Sequence, residues 1–236
     1  MRKLVSGIVG LTALLAAPAM AADLGARPVV KAVAPPPVFS WTGCYLGVHV
    51  GAGKQSSEFL FDAPYGSVGA LGGAQAGCNL QWRQFVIGVE GEYWASGLRS
   101  REFFQNQDQT SEESSRNRWD GAISLRSGLA FERAFIYGKL GVVWGKFEYA
   151  EDNIFFGDTV TTRGSATLTG VLIGAGFEYA LTDNWTTKFE YNYIDYGDKV
   201  VDFTFTRCDP ACATGTFRES IKEIKQIAKV GVNYKF

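Results

Sequence analysis

The stretch FVIGVEGEY, residues 85–93, contains the pattern that decides the fold. Its odd-numbered positions, from Phe85 to Tyr93, carry apolar side chains or glycine, and Gly88, Glu90 and Glu92 alternate with them. Successive side chains of a β-strand point to opposite faces of the sheet. A period of two therefore predicts a strand with one apolar face and one charged face.

The same alternation recurs in seven further segments of about ten residues, the strand length expected of membrane β-barrels. In each segment, small, aliphatic or aromatic residues share one face, and glycine or polar residues share the other. The apolar faces contain Leu46, Val48 and Val50; Ala70, Ala74 and Ala76; Ile123, Leu125 and Leu129; Ile136, Leu140 and Val142; Val171, Ile173 and Phe177; Trp185, Phe189 and Tyr191; and Val230, Val232 and Tyr234.

Short and long connections alternate between these eight segments. The short ones are residues 81–83, 132–133 and 182–184. The long ones are polar and cover residues 54–68, 95–118, 150–166 and 197–220. This alternation is typical of bacterial outer-membrane barrels, whose short turns face the periplasm. With an even number of strands, both chain ends are expected on the periplasmic side.

The N-terminal residues predict export from the cytoplasm. Arg2 and Lys3 precede an apolar run, and Ala19 and Ala21 put small side chains where a signal peptidase requires them. We predict a signal peptide over residues 1–21, a proline-rich periplasmic linker over 22–40 and a barrel over 41–236. The apolar run is too short for a membrane-spanning helix, which needs about 20 residues.

The composition excludes several classes of protein. The chain has 236 residues with a net charge of −1, so it lacks the basic surface of a nucleic-acid-binding protein. It is rich in glycine and aromatic residues, with 28 Gly and 17 Phe, and no later stretch is apolar enough for a spanning helix. Export combined with this composition favours a β-barrel of the outer membrane.

The alternation by itself leaves a soluble β-sandwich open as the alternative. A membrane barrel is favoured because all eight strands have an apolar face and because the charges on the other face are nearly balanced. Aromatic rings near the segment ends also suit the two membrane–water interfaces. These rings belong to Trp41, Tyr45, Trp82, Trp119, Trp185 and Tyr234.

The resulting prediction is an all-β fold, an eight-stranded antiparallel up-and-down transmembrane barrel with short periplasmic turns and four long extracellular loops. Eight strands enclose only enough space for side chains. The charged face is therefore expected to form a buried ion-pair network rather than to line a pore. Its members are Glu90, Glu92, Arg126, Lys139, Glu178, Lys188, Glu190, Lys225 and Lys229.

Four cysteines fit an oxidising compartment. Cys44 and Cys78 both fall on the outward face, near the periplasmic ends of neighbouring strands, so we predict that they form a disulfide with Cα atoms about 5.5 Å apart. Cys208 and Cys212 are expected to close a small loop. Metal binding is the competing interpretation, and no histidine or second thiol cluster lies nearby in the sequence.

No catalytic, metal or cofactor site is predicted. His49 is the one histidine, and its parity places it inside the barrel, where it is expected to form structural hydrogen bonds. Ser56 and Ser57 follow in or beside a loop, and the sequence contains no convincing Ser-His-Asp arrangement. Replacement of His49 by alanine is expected to leave the fold intact.

Several motifs resemble a known family. The opening WTGCYLG of residues 41–47, GGAQAGCN of 72–79, VIGVEGE of 86–92 and KVGVNYKF of 229–236 resemble strands of small barrels named porin-family or outer-membrane immunogenic proteins. The resemblance implies an outer-membrane location and a fold similar to opacity-type proteins. It also implies that the ending with Tyr234 and Phe236 is a signal for the barrel-assembly machinery.

The expected function is a non-catalytic surface protein with a structural or interaction role through its extracellular loops, because function on such scaffolds depends on the loops. Expected partners are outer-membrane lipids, lipopolysaccharide and host or envelope surface ligands, with no nucleic acid. The alternative is a narrow porin-like diffusion channel for small solutes.

Overall fold

A computed structural model of the protein describes residues 39–59, 65–105, 109–155, 158–209 and 211–236. The predicted signal peptide, and the predicted linker up to residue 38, lie outside these ranges. The described chain is built from β-strands joined by turns, and it contains no helix long and apolar enough to cross a membrane.

Nine strands follow one another along the chain, and every neighbouring pair is antiparallel. They are β1 (Gly43–Phe59), β2 (Tyr65–Trp82), β3 (Phe85–Ser96), β4 (Arg99–Gln105), β5 (Gln109–Phe131), β6 (Ala134–Phe155), β7 (Asp158–Ala180), β8 (Trp185–Asp209) and β9 (Ala211–Lys235).

Eight of the strands close into a ring, as predicted. β1 pairs with both β2 and β9, and β3 pairs with β5, so the sheet has no free edge around the ring. β4 is the ninth strand, and it continues the path of β3 along the same partner, β5. The break between them is at Gly97 and Leu98, and Leu98 is fully buried.

One end of the barrel, here called the turn end, holds the short connections. The first is Arg83-Gln84, slightly later than predicted, and the second is Glu132-Arg133, as predicted. Arg83 and Glu132 have φ angles of 56° and 52°, the left-handed backbone that tight two-residue hairpins require. The third connection covers residues 181–184.

The opposite end, here called the hairpin end, differs in form from the predicted loops. Most residues of the four long connections continue the strands as paired hairpins. For example, β6 and β7 remain paired from Ala134 and Tyr179 to Phe155 and Asp158. Parts of these extensions, such as residues 158–167, are polar or small on both faces, so hydropathy alternation does not reveal them there.

Side chains alternate around the ring as predicted. The outward positions form a continuous apolar band, with Val48 64%, Ile123 57% and Ile173 57% exposed. The inward positions between them are buried. The outward aliphatic side chains are therefore largely exposed, which is the arrangement expected of a surface that contacts lipid.

The aromatic residues at the turn end divide into two groups. Trp82, Trp185 and Tyr234 lie on the outside, as expected for an interfacial girdle. Trp41 and Tyr45 were predicted to join this girdle, and that prediction is wrong, because both are buried inside. Tyr45 has inward parity, and the side chain of Trp41 points into the barrel at the turn end.

Candidate functional site in the barrel interior

The centre of the interior contains four acidic and four basic side chains with matching total charge. They come from six strands, and none is more than 6% exposed. The acids are Glu90 and Glu92 of β3, Glu178 of β7 and Glu190 of β8, and the bases are Arg126 of β5, Lys139 of β6, Lys188 of β8 and Lys229 of β9. We call this set the central charge network.

Lys139 connects three of the carboxylates. Its ammonium lies 2.6 Å from Glu90, 2.5 Å from Glu92 and 3.0 Å from Glu190. The three N–H donors of a lysine are thus matched by three carboxylate acceptors. Lys139 stands on β6, two strands from β3 and two strands from β8 around the ring, so its contacts link carboxylates that come from opposite strands.

Lys188 and Lys229 complete the same carboxylate cluster. Lys188 lies 3.0 Å from Glu90, and Lys229 lies 2.9 Å from Glu190 and also pairs with Glu92. Each carboxylate of the cluster therefore has at least two cationic partners. A buried charge is tolerated when it is paired and hydrogen-bonded in this way.

Arg126 holds the side of the network nearest the turn end. Its guanidinium pairs with Glu178 and lies 3.1 Å from Glu90. It also donates to the Tyr45 hydroxyl at 2.8 Å, and the Tyr45 hydroxyl donates to Glu90 at 2.7 Å. The ring of Tyr137 lies 4.2 Å from the guanidinium carbon, close enough for a cation–π interaction.

Uncharged side chains satisfy the remaining carboxylate oxygens. Glu178 accepts hydrogen bonds from Thr186 and from Asn233, the latter at 2.8 Å. Glu190 accepts from Tyr137 at 3.0 Å and from Asn192 at 2.7 Å. The sequence analysis did not assign these tyrosine, threonine and asparagine side chains to the network, although the same period-two parity points them inward.

Lys225 was predicted as part of one network, but the structure places it in a separate pair nearer the hairpin end. Its ammonium lies 2.7 Å from Asp120, which also accepts a hydrogen bond from Tyr196. Asn117 donates to Asp120 at 3.3 Å. Apolar side chains, including Trp94 and Ile227, share this level of the interior.

Two apolar layers enclose the charges. At the turn end, Phe39 packs edge-on against Trp41 with ring centres 4.9 Å apart, and Trp41 contacts Phe135. The barrel body thus takes in Phe39, which the sequence analysis assigned to the linker. The full layer at this end is Phe39, Trp41, Val86, Ala130, Phe135, Tyr137 and Ala180.

The second layer lies towards the hairpin end and is larger. It includes Val143, Phe147, Leu172 and Ile194, which are completely buried. Tyr149 extends it and donates a hydrogen bond to Glu223 at 2.9 Å.

His49 lies between these layers and makes structural contacts. Its side chain is 2% exposed, and its Nδ1 lies 2.5 Å from the Gln75 side-chain oxygen. Gln75 in turn donates to Asn233 at 2.7 Å. The ring of Trp94 is 6.2 Å away, edge-on.

One carboxylate cluster has a spacing that a metal ion could use. Oxygens of Glu90, Glu92 and Glu190 lie within 4.8 Å of one another. The ammonium groups of Lys139, Lys188 and Lys229 already compensate these charges, so the cluster has the character of an ion-pair network rather than of a metal site.

Both predicted cysteine pairs are disulfides in the structure. Cys44 and Cys78 lie directly opposite each other on β1 and β2, with Cα atoms 3.9 Å apart. The expected value of about 5.5 Å was therefore too long. Cys208 and Cys212 face each other across β8 and β9 near the tip of the hairpin.

The comparisons with known proteins agree with the closed ring and its apolar exterior. Residues 8–236 match the family model described as outer membrane protein beta-barrel domain. The chain belongs to this family. The 31 kDa outer-membrane immunogenic protein of Brucella melitensis is 32% identical over 97% of this chain and 98% of its own length. The 22 kDa outer membrane protein of Rhizobium leguminosarum is 30% identical over 85% of this chain and 80% of its own length.

Among solved structures, the outer membrane protein OprG from Pseudomonas aeruginosa is similar, with a TM-score of 0.47 and 12% identity over 85% of this chain and 99% of that chain. No conclusion about activity follows from a resemblance of this degree. Family membership and the relatives' names place this protein in the outer membrane. In such barrels the short turns face the periplasm, so the hairpin end faces outward from the cell.

Proposed function

We propose that this protein is a non-conducting, non-catalytic barrel that acts at the cell surface through its hairpin end. The observation that carries the proposal is the filled interior. An aromatic layer, a neutral charge network and an apolar layer follow one another along the barrel axis. A solute would have to displace all three in succession.

The geometry of the central layer supports this interpretation over a diffusion channel. A selectivity ring presents charges of one sign to water, whereas here every central acid is paired with a base. Lys188 on β8 reaches across the lumen to Glu90 on the opposite strand β3, so a route for ions would require this 3.0 Å contact to break. Breaking such a buried pair costs several kcal/mol.

Planar-bilayer recording tests the closed interior. The full mature chain, folded in detergent and inserted in equal amounts, is expected to give no stable conductance steps. A 16-stranded porin serves as the positive control under the same conditions, because barrels of that size leave an aqueous channel. Reproducible steps from the folded protein would contradict the proposal and favour the narrow channel.

A non-catalytic role is supported by the position of His49. A general base must come within hydrogen-bond reach of a substrate. His49 is buried below the apolar layer of the hairpin end, and its Nδ1 is within hydrogen-bond distance of the Gln75 side-chain oxygen. His49→Ala is therefore expected to leave surface functions unchanged. A hydrolytic activity that disappears in this variant would contradict the proposal.

The hairpin end is suited to recognition because it presents charged and polar side chains on paired strands. Exposed ion pairs join neighbouring strands there, for example Arg118 with Glu148 and Arg218 with Asp202. Beneath them, Phe203 stacks on Phe217 with ring centres 5.4 Å apart. Relatives of this chain in Brucella are named outer-membrane immunogenic proteins, which supports antibody contact as one interaction of this surface.

Antisera raised against the folded protein test this assignment. In the variant, residues 205–215 are replaced by Asn-Gly, a two-residue hairpin turn, between the paired residues Thr204 and Thr216. Antibody binding to intact cells is expected to fall, while the barrel keeps its heat-modifiable gel mobility. Unchanged binding after all four hairpins have been shortened in this way would contradict a role for the hairpin end.

A further inference from the structure

An open apolar depression lies on the outward face of the barrel, where β1, β2, β3, β5 and β6 are neighbours. It is a shallow, open recess with a volume of about 430 Å³. Its floor consists of Ala74, Ala76, Gly91 and Gly121, and its walls consist of Leu46, Tyr93, Ile123 and Trp144.

The register explains how the depression forms. Leu46, Ala76, Gly91 and Ile123 lie in one cross-strand row, because each is directly opposite the next. Ala74, Tyr93, Gly121 and Trp144 form the adjacent row. In both rows, small residues lie between large ones, so the surface is recessed within an otherwise even apolar band.

A basic cluster lies on the same strands, above the depression towards the hairpin end. Arg99 of β4 is directly opposite Arg116 of β5, and both are exposed. Neither makes an ion pair with any residue in the described ranges. Glu148 of β6 is directly opposite Arg116 on its other side, but it pairs with Arg118 at 2.7 Å, so this part of the outward face keeps an excess of positive charge. Like charges that face each other across strands are destabilising unless an anion compensates them.

Lys146 and an aromatic pair fill the space between the depression and the arginines. Lys146 is directly opposite Trp119, and Trp119 stacks on Tyr93 with ring centres 5.9 Å apart. Arg116 is five positions from Gly121 along β5, a distance of about 15 Å. From the membrane core to the outer headgroup level, the surface thus presents first the apolar depression, then the stacked aromatic pair and finally the basic side chains.

We propose that this face binds a phosphorylated lipid of the outer leaflet, namely the lipid A part of lipopolysaccharide. An acyl chain lies in the depression, and a phosphate lies between Arg99 and Arg116, whose guanidinium groups can each donate two hydrogen bonds to phosphate oxygens. Lys146 supplies a further cation below them. The site is independent of whether the interior conducts.

The choice of lipid A over a phospholipid follows from position and charge. The arginines lie at the hairpin end, which faces outward, and the outer leaflet of this membrane consists mainly of lipopolysaccharide. Lipid A carries two phosphates and several acyl chains. A lipid with two phosphates matches a patch of several cations better than the single phosphate of phosphatidylglycerol does.

Binding is measured on the folded full chain in neutral detergent by native mass spectrometry. The probes are bisphosphorylated lipid A, dephosphorylated lipid A and phosphatidylglycerol. Lipid A is expected to bind best, and R99Q/R116Q is expected to weaken it at least tenfold. R218Q, which removes an exposed arginine of a different hairpin, is the matched control and is expected to leave the affinity unchanged.

Filling the depression tests the acyl-chain half of the site. A Cβ at Gly121 meets no atom closer than 3.7 Å, so G121L is compatible with the barrel, and A76L adds bulk to the same floor. G138L is the matched control, because Gly138 is equally outward and a Cβ there meets nothing within 4 Å. G121L and A76L are expected to weaken lipid A binding severalfold, and G138L is not.

Three results would overturn the proposal. They are equal affinity for lipid A and its dephosphorylated form, equal affinity for phosphatidylglycerol, and unchanged lipid A binding in both R99Q/R116Q and A76L. Heat-modifiable gel mobility verifies that each variant is folded before its affinity is compared.

Discussion

Replacement of Lys139 by methionine tests the charge balance of the interior. Methionine retains an unbranched apolar chain of similar length but removes the ammonium that contacts Glu90, Glu92 and Glu190. The central network then has one uncompensated negative charge in a site with no solvent access. Removal of one partner of a buried pair costs about 3–5 kcal/mol.

The structure favours the lower end of this range. Without Lys139, Glu90 still has Arg126 at 3.1 Å and Lys188 at 3.0 Å, and Glu190 still has Lys229 at 2.9 Å. No carboxylate loses all its partners, so we expect a loss of about 3 kcal/mol in the free energy of unfolding. E92Q, which leaves an excess positive charge, is expected to cost a similar amount.

The double variant K139M/E92Q restores equal numbers of opposite charges. It is expected to be more stable than the sum of the single changes by at least about 2 kcal/mol, a coupling typical of residues in one buried network. Unfolding in urea from lipid vesicles, followed by gel mobility without boiling and by tryptophan fluorescence, gives the four free energies. Arg218→Ala, which removes a pair exposed on both sides, is the control and is expected to cost less than about 1 kcal/mol.

Strict additivity of K139M and E92Q would refute this reasoning. It would mean that water screens the two charges from each other, as in an open lumen. A loss for K139M as small as that of Arg218→Ala would have the same meaning.

Three further predictions concern covalent links, packing and pH. Replacement of Cys44 and Cys78 by alanine is expected to lower the free energy of unfolding by about 4 kcal/mol, and replacement of Cys208 and Cys212 by about 2 kcal/mol. The first bridge closes a longer segment, because the sequence separations are 34 and 4. Urea midpoints at a constant slope measure both losses, and an inverted order would contradict the entropic argument. Gly128→Ala is expected to cost about 1–3 kcal/mol because its Cβ would meet the backbone oxygen of Ile136, whereas Gly138→Ala, with open space at the Cβ, is expected to be nearly neutral. A hydrogen bond from Arg163 lowers the pKa of Asp152 on the hairpin end. The stabilisation from this bond is therefore present above the pKa of Asp152 in the unfolded chain and is lost as the pH falls through its pKa in the folded protein. Arg163→Ala is expected to return the pKa of Asp152 towards its ordinary value in an NMR titration, and an unchanged titration curve would exclude this pair as the cause.

The sequence predicted the membrane-spanning part of the barrel well because its two faces differ chemically. Leu46, Ile123 and Val171 contrast with Gln75, Arg126 and Lys188, so period-two parity assigns each to one side. The same parity puts Cys44 and Cys78 on the outward face. It does not fix the register of β1 and β2, which are joined by a long connection.

The same logic could not predict the hairpin end. Residues 158–167 are polar or small on both faces, so alternation of hydropathy gives no signal although they are paired strands. Pairing there depends on backbone hydrogen bonds and on the buried Phe203 and Tyr149, which come from distant parts of the chain.

The prediction for the aromatic residues of the turn end was wrong for a different reason. Trp41 and Phe39 precede the first strand, where parity no longer applies, and a tryptophan near a strand end fits an interfacial girdle equally well. Only the ring closure shows that the base of the barrel has an open space that these side chains fill. The separate pair of Lys225 and Asp120 also depends on axial height, which parity does not determine.

The closed interior is tested most directly by chemical labelling of lysines in the protein folded in lipid vesicles. A small, water-soluble amine reagent, followed by mass spectrometry, is expected to modify Lys54, which is exposed, and the half-exposed Lys199 and Lys222. The four interior lysines, Lys139, Lys188, Lys225 and Lys229, are expected to stay unmodified until the barrel is unfolded. Modification of Lys139 in the folded barrel at a rate similar to that of Lys54 would contradict a filled lumen and would support a channel.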